Sequence, residues 1–186
     1  MTGLRVTAGT LRGRRIPVPP HAVRPTSERA RQAYFNIIGE RIDGARFLDL
    51  FAGSGIFSFE AVSRGAATAV AIEYSRHNAE AIERIAVNWN APVRTINADI
   101  FAGIKRLDTA VFDLVYADPP YEYERYDELL LAIDNRVPLA GNALAVIEHK
   151  RRSEPFRKKP GGLQFVRRAE YGEVWMSFFE RTEVSS

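Results

Sequence analysis

Ala117-Asp118-Pro119-Pro120-Tyr121 gathers an unusual set of groups in one short stretch. A residue that precedes proline is pushed into extended backbone. Asp118 and Pro119 both precede one, so the stretch is predicted to be stiff and extended. Pro119 and Pro120 offer carbonyl oxygens but no N–H, and the Asp118 carboxylate adds further acceptors. Such a cluster suits an amino group whose lone pair is delocalised into a ring. Accepting both of its hydrogens favours a more tetrahedral nitrogen with its lone pair free for attack. Tyr121 offers a face for stacking on the ring itself. An amine of this kind on a nucleobase is hidden in a duplex, so the base must be unpaired or flipped first. Pro-Pro alone reads as an ordinary turn; the acid before it and the aromatic after it set this one apart.

A second constellation lies upstream. Leu48-Asp49-Leu50-Phe51-Ala52-Gly53-Ser54-Gly55 follows an apolar run and precedes a helical pattern. Glycines at such a turn let the backbone approach a ligand closely. Glu73, placed 18 residues after Gly55, ends a second apolar run and suits hydrogen bonding to ribose hydroxyls. A dinucleotide fingerprint needs a third glycine where Ser58 stands, and Asp49 would repel a pyrophosphate. S-adenosylmethionine has no phosphate, and its methionine end carries an ammonium and a sulfonium. The loop therefore favours S-adenosylmethionine over NAD, with Asp49, Phe51, Gly53, Gly55 and Glu73 as candidate cofactor residues. Asp99, followed by Ile100, closes a third apolar run. It can accept from an adenine amine or cap the next helix, and the two roles can coexist.

The elements that must position these residues alternate. Strands are predicted at Arg46–Phe51, Ala69–Glu73, Val93–Ile96, Phe112–Ala117 and Ala143–His149, with helices between them at about 56–64, 76–89, 101–107 and 124–134. Short apolar strands alternating with amphipathic helices predict an α/β fold, a mostly parallel sheet covered on both faces. Leu163–Arg168 and Val174–Glu180 form a final antiparallel pair joined through Tyr171-Gly172. Ahead of the sheet, Thr26 or Ser27 caps a helix over Arg29–Ile38. Residues 1–22 read as a separate basic hairpin, with β-prone runs flanking Leu11-Arg12-Gly13 and with Pro19-Pro20 closing it.

Hydrophobic residues make up 46% of the 186, enough to bury a core in one domain. No apolar run approaches the length of about 18 residues that a membrane helix needs. The first residues carry no apolar signal segment, and cysteine is absent, which excludes disulfides and thiolate metal sites. His21, His77 and His149 are scattered without ligand spacing, so no metal is expected. An intracellular, cytoplasmic protein without membrane contact fits best. The net charge of +3 is unevenly spread. Residues 1–31 hold Arg5, Arg12, Arg14, Arg15, Arg24, Arg29 and Arg31 against Glu28 alone. Residues 149–168 hold Lys150, Arg151, Arg152, Arg157, Lys158, Lys159, Arg167 and Arg168 against Glu154 alone. Two basic segments on an acidic body point to a polyanion, such as a nucleic acid.

Asp118-Pro119-Pro120-Tyr121 resembles the catalytic motif of class I S-adenosylmethionine-dependent methyltransferases that modify exocyclic amines, and Asp49 to Gly55 resembles their cofactor loop. A closer resemblance is to the bacterial 16S ribosomal RNA guanine-N2 methyltransferases, the RsmD family. It rests on Arg24-Pro25-Thr26 with Arg31 and Phe35-Asn36-Ile37, on Leu48 to Gly55, on Glu60-Ala61, on Ser63-Arg64-Gly65-Ala66, and on Tyr171-Gly172. Glu28, Gln32 and Tyr116 depart from the usual family residues, and 150–162 has no clear family signature.

The resemblance implies a Rossmann-like fold: a seven-stranded, mostly parallel sheet with helices on both faces, a final antiparallel hairpin and a small N-terminal hairpin. It divides the chain into an RNA-contacting extension, 1–22, and a methyltransferase domain, 23–186. It implies that Gly53 and Gly55 line the cofactor, Glu73 holds its ribose and Asp99, with Ile100, its adenine. Asp118 and the Pro119 carbonyl would bind the amine, Pro120 would stiffen the loop and Tyr121 would stack on guanine, with direct methyl transfer from sulfonium to nitrogen. Arg5, Arg12, Arg14, Arg15, Arg24, Thr26 and Arg29 would contact nucleic acid. The partner would be 16S ribosomal RNA or the assembled small-subunit particle, met by a monomer. The residues alone leave other targets open. The same amine chemistry serves a DNA adenine-N6 methyltransferase or a protein glutamine methyltransferase, and a silent RNA-binding assembly factor could carry the same fold.

Overall fold

The computed structural model describes residues 3–17, 28–151 and 155–182; Arg24 and the two candidate caps, Thr26 and Ser27, lie outside them. The chain begins with β1 (Gly3–Arg5) and β2 (Arg15–Pro17), paired antiparallel with Leu4 opposite Ile16. α1 (Glu28–Ile38) follows and ends in a tight turn at Gly39–Ile42. Then come β3 (Arg46–Leu50), α2 (Ile56–Ser63), β4 (Thr68–Glu73), α3 (Arg76–Trp89) and β5 (Val93–Asn97). The chain continues through α4 (Ile100–Ile104), β6 (Phe112–Ala117), α5 (Tyr126–Arg136), β7 (Leu139–Lys150), β8 (Leu163–Tyr171) and β9 (Val174–Arg181).

β3 to β9 form one seven-stranded sheet in the order β5-β4-β3-β6-β7-β9-β8. β3 to β7 are mutually parallel, and β9 runs antiparallel between β7 and β8. Successive side chains of a strand point to opposite faces. Phe47, Leu114, Tyr116 and Val146 accordingly join one core with residues of α1, α2 and α3. Leu48, Leu50, Val115, Ala117 and Ile147 join the other with residues of α4 and α5. The strands read as nearly continuous apolar runs because both faces are covered. The helix expected over 101–107 is shorter, and Gly103 shows why it lies so close to the sheet: a Cβ there would stand 2.5 Å from Ile72 Cγ2.

β3 lies between β4 and β6. The chain leaves β3 toward one edge through α2 and comes back to its other side at β6. Above the C-terminal ends of β3 and β6 lies the switch point where open α/β sheets take their ligands.

The N-terminal hairpin is packed onto this frame. Val6 and Ile16 are fully buried in the core formed with α1 and α2. Gly9, at φ 76°, presses so closely on the end of α2 that a Cβ would fall 1.6 Å from the Ser63 carbonyl oxygen. Thr10 N–H donates to that carbonyl at 2.8 Å, and Leu11 N–H to Ser63 Oγ at 2.8 Å. Glu60, wholly buried one turn earlier, accepts from Thr7 N–H at 2.9 Å, Ala8 N–H at 3.2 Å and Arg64 Nε at 2.8 Å. Arg31 Nε stands 3.5 Å from it, and Arg31 Nη2 donates to the Arg5 carbonyl at 2.9 Å. A buried carboxylate is tolerable only with such donors around it.

Candidate active site

The site builds up from the ends of β3, β4 and β6. Past β3 the backbone turns sharply, and Phe51 sits at φ 63°, a left-handed conformation uncommon outside glycine. Its ring meets Tyr123 edge-on at 5.3 Å between centroids. Gly53 N–H donates to Glu73 Oε2 at 2.7 Å, and Ser75 N–H to Glu73 Oε1 at 2.8 Å. The acid at the end of β4 thus carries the glycine loop and the turn into α3, and each oxygen keeps a lone pair. Gly55, at φ 77°, starts α2; a Cβ there would lie 2.8 Å from Ile82 Cγ1.

Asp49 is 2% exposed. Its Oδ2 accepts from Ser58 N–H at 3.1 Å and Ser58 Oγ at 2.6 Å. Burial pushes the carboxyl up to about 7, against the pull of these bonds, and the charges of Asp118 and Glu73 push the same way. Among the described residues no cationic side chain pairs with it. Ser58 occupies the place where a dinucleotide loop has glycine, and here that serine is the donor that holds Asp49.

Asp118 N–H donates to the Leu50 carbonyl at 3.3 Å, which ties the end of β6 to the end of β3. Pro119 is buried and Pro120 exposed. The Pro120 carbonyl accepts from Tyr123 N–H at 2.8 Å and closes the turn, so of the two proline carbonyls it has the structural task. Tyr121 is 54% exposed, and Lys150 Nζ stands 3.9 Å from its ring centroid. Asp99 caps α4, accepting from Phe101 N–H at 3.0 Å, with Ile100 buried next to it. Asn97 Nδ2 braces the neighbouring turn by donating to the Glu73 and Tyr74 carbonyls, each at 2.9 Å.

A further carboxyl, absent from the candidate residues, lies next to this loop. Glu148, 3% exposed near the end of β7, accepts a hydrogen bond from Tyr116 Oη. Burial, then the charge of Asp118, drives its carboxyl far above the usual range. Tyr116 belongs to an aromatic core with Tyr34 and Phe57, stacking on Phe57 at 3.8 Å. Its hydroxyl was the available signal, a polar tip on an otherwise apolar strand.

Arg5, Arg12, Arg14, Arg15 and Arg29 are exposed. A crossover helix between parallel strands runs antiparallel to them. The end of α3 therefore lies away from the strand C-termini, and Arg14 stacks there, over Trp89 at 5.4 Å. The structure thus gathers Asp49, Glu73 and Asp118 at one edge and leaves the tip of the hairpin at the other. Among the described residues no group of three acid or imidazole side chains is placed to hold a metal, and no helix is long and apolar enough to cross a membrane.

A family described as Conserved hypothetical protein 95 matches residues 4–180. The chain belongs to this family. It is the RsmD family that the motifs resemble. YlbH of Bacillus subtilis is 31% identical over 188 residues, covering 96% of this chain and 99% of the relative. Ribosomal RNA small subunit methyltransferase D of Escherichia coli is 33% identical over 147 residues, covering 78% of this chain and 74% of the relative. Among solved structures, yhhF of Escherichia coli superposes with a TM-score of 0.84 at 28% identity, covering 97% of this chain and 99% of that one. The sheet order and the family together make this a class I methyltransferase fold.

Proposed function

We propose that this protein transfers a methyl group from S-adenosylmethionine to the exocyclic N2 amine of a guanine in 16S ribosomal RNA. The observation that carries the reading is the acceptor-rich Asp118-Pro119 pair, tied to β3 beside the buried Asp49 at the switch point. The kinship with a relative named ribosomal RNA small subunit methyltransferase D supports ribosomal RNA as substrate.

The residues at the loop fit the cofactor. A buried carboxyl that no cationic side chain among the described residues pairs with favours a ligand that brings a cation, and S-adenosylmethionine supplies, when bound, a methyl group activated on a positively charged sulfur. Asp49 attracts the cationic end. Glu73 keeps lone pairs for a ribose diol, Phe51, Gly53 and Gly55 form the wall of the loop, and Asp99 with Ile100 borders the adenine. Asp118 and the Pro119 carbonyl accept the two amine hydrogens and orient the nitrogen lone pair; Pro120 fixes the loop and Tyr121 stacks on the base. After transfer the nitrogen must shed a proton, and the Asp118 carboxylate is the base nearest to it. Positioning and electrostatics supply the rate. Residues 1–22 contribute RNA contacts remote from the reacting base, through Arg5, Arg12, Arg14 and Arg15, with Arg24, Thr26 and Arg29 adding to the footprint in the cytoplasm where the subunit assembles.

The test is direct. Purified protein with methyl-labelled cofactor is offered naked 16S RNA, unmodified small-subunit particles and duplex DNA. Labelled RNA with mass-spectrometric mapping to guanine N2 is expected. Label on adenine in DNA, or on nothing, defeats the reading.

A further inference from the structure

The tip of the hairpin stands away from the Asp118 loop, yet a base delivered to that loop arrives attached to its backbone, and backbone contacts are what fix register. A cleft of about 430 Å³ adjoins the loop, lined among others by Tyr123, Tyr126, Lys150 and Arg157. Lys150 Nζ lies 3.9 Å from the Tyr121 centroid and 3.8 Å from Glu122 Oε2. The ammonium lies over the Tyr121 ring.

Tyr123 Oη is buried and has no hydrogen-bond partner among the described residues. Burial holds that phenol up at about 12, so it stays a donor. The acid deepest in the lining is already engaged: Asp127 accepts the backbone N–H of Arg157 at 2.8 Å and of Lys158 at 3.0 Å. Those bonds hold the backbone at residues 157 and 158, where Arg157 borders the cleft. Glu122 and Glu124 stay exposed at the rim. Arg151, Lys158 and Lys159, all exposed, extend the positive charge outward along the same segment.

We propose that this cleft holds the phosphodiester of the nucleotide next to the target base, with Lys150 and Arg157 as its charge partners and Tyr123 Oη as its hydrogen-bond donor. Lys150 is in addition a positioning residue for the Tyr121 ring. The two cations and one neutral donor match a phosphodiester, and cationic side chains beside an aromatic platform are how single strands are held. The inference rests on the proposed function, because the cleft serves a nucleic acid only if the adjoining loop receives a base.

The experiment uses the full chain, small-subunit particles and naked 16S RNA as probes. In Lys150→Ala/Arg157→Ala, KM for RNA rises about tenfold or more while kcat stays within about threefold. The cofactor Kd is unchanged. The logarithmic salt dependence of kcat/KM becomes shallower by roughly 0.7, the amount for one neutralised phosphate on a single strand. Lys150→Arg, which keeps both charge and ring contact, restores most of the loss, and Tyr123→Phe costs about fivefold in KM. A double variant that melts like the wild type and keeps its KM and salt slope overturns the cleft alone. A wild type that binds cofactor but labels no RNA overturns the functional reading, and the cleft falls with it.

Discussion

Ser58 donates both its backbone N–H and its hydroxyl to a single oxygen of Asp49, at 3.1 and 2.6 Å. These bonds favour the charged carboxylate, and burial outweighs them, leaving it at about 7 against an ordinary 3.8. The contribution of Asp49 to stability is therefore complete below pH 3.8, declines as the pH rises, and is gone once the pH passes about 7. Asp49→Asn keeps an acceptor for Ser58 and removes the charge. The cofactor-free variant should melt above the wild type at about pH 8 and beside it at about pH 4. S-adenosylmethionine affinity should rise for the wild type as the pH climbs toward 7, by up to about tenfold per unit, and stay flat for the variant. Calorimetric titrations across that range are the check; a flat wild-type profile contradicts the role given to Asp49.

Asp118→Ala and Asp118→Asn should each lower kcat by about 10²–10³, the scale for losing one preorganised polar group at a reacting centre. Cofactor Kd should move by no more than about threefold, since the amine and not the cofactor is what Asp118 holds. Single-turnover methyl transfer with parallel binding measurements separates the two, and retained turnover would sink the assignment.

Glu60→Ala strands Arg31, 1% exposed, without its carboxylate. Breaking a buried pair in this way costs about 3–5 kcal/mol. Gly9→Ala forces a side chain into the left-handed backbone against the Ser63 carbonyl, and should destabilise as well. Denaturant melts test both. A loss below about 1 kcal/mol for Glu60→Ala would mean that the hairpin is anchored elsewhere.

Glu148 has its carboxyl raised by burial first, with the Asp118 charge adding to it. Stability from this group is full below the ordinary carboxylate range and is lost as the pH rises. Glu148→Gln keeps the shape and the acceptor for Tyr116, so the variant should gain over the wild type as the pH increases. Equal melting temperatures at acid and alkaline pH would show that Glu148 ionises freely.

Much of the frame could be read from the chain. The alternation of apolar runs and helical patterns located the strands of the sheet, because each is buried on both faces and its sequence says so. Asp118 to Tyr121 and Asp49 to Gly55 were legible because proline and glycine act on their own backbone, a local effect. Glu60 has no local signal of its role, since its partners Thr7 and Ala8 lie more than 50 residues away. Glu148 looked like any residue near a strand end, because burial is a property of the neighbours. The packing of the hairpin was hidden for the same reason: Val6 and Ile16 are two apolar residues in a basic segment until α1 and α2 cover them.

α2 is capped by Gly55, holds Asp49 through Ser58, and seats the hairpin through Glu60 and Ser63. Its 8 residues span about 12 Å as one rigid rod. Under the proposed function, the part of the substrate gripped at the hairpin and the part that reaches the cofactor loop are set apart by a fixed rule. An isolated nucleotide can satisfy only one end of that rod; a folded RNA surface satisfies both. Substrate choice then becomes a matter of span, measured by a helix that touches no base.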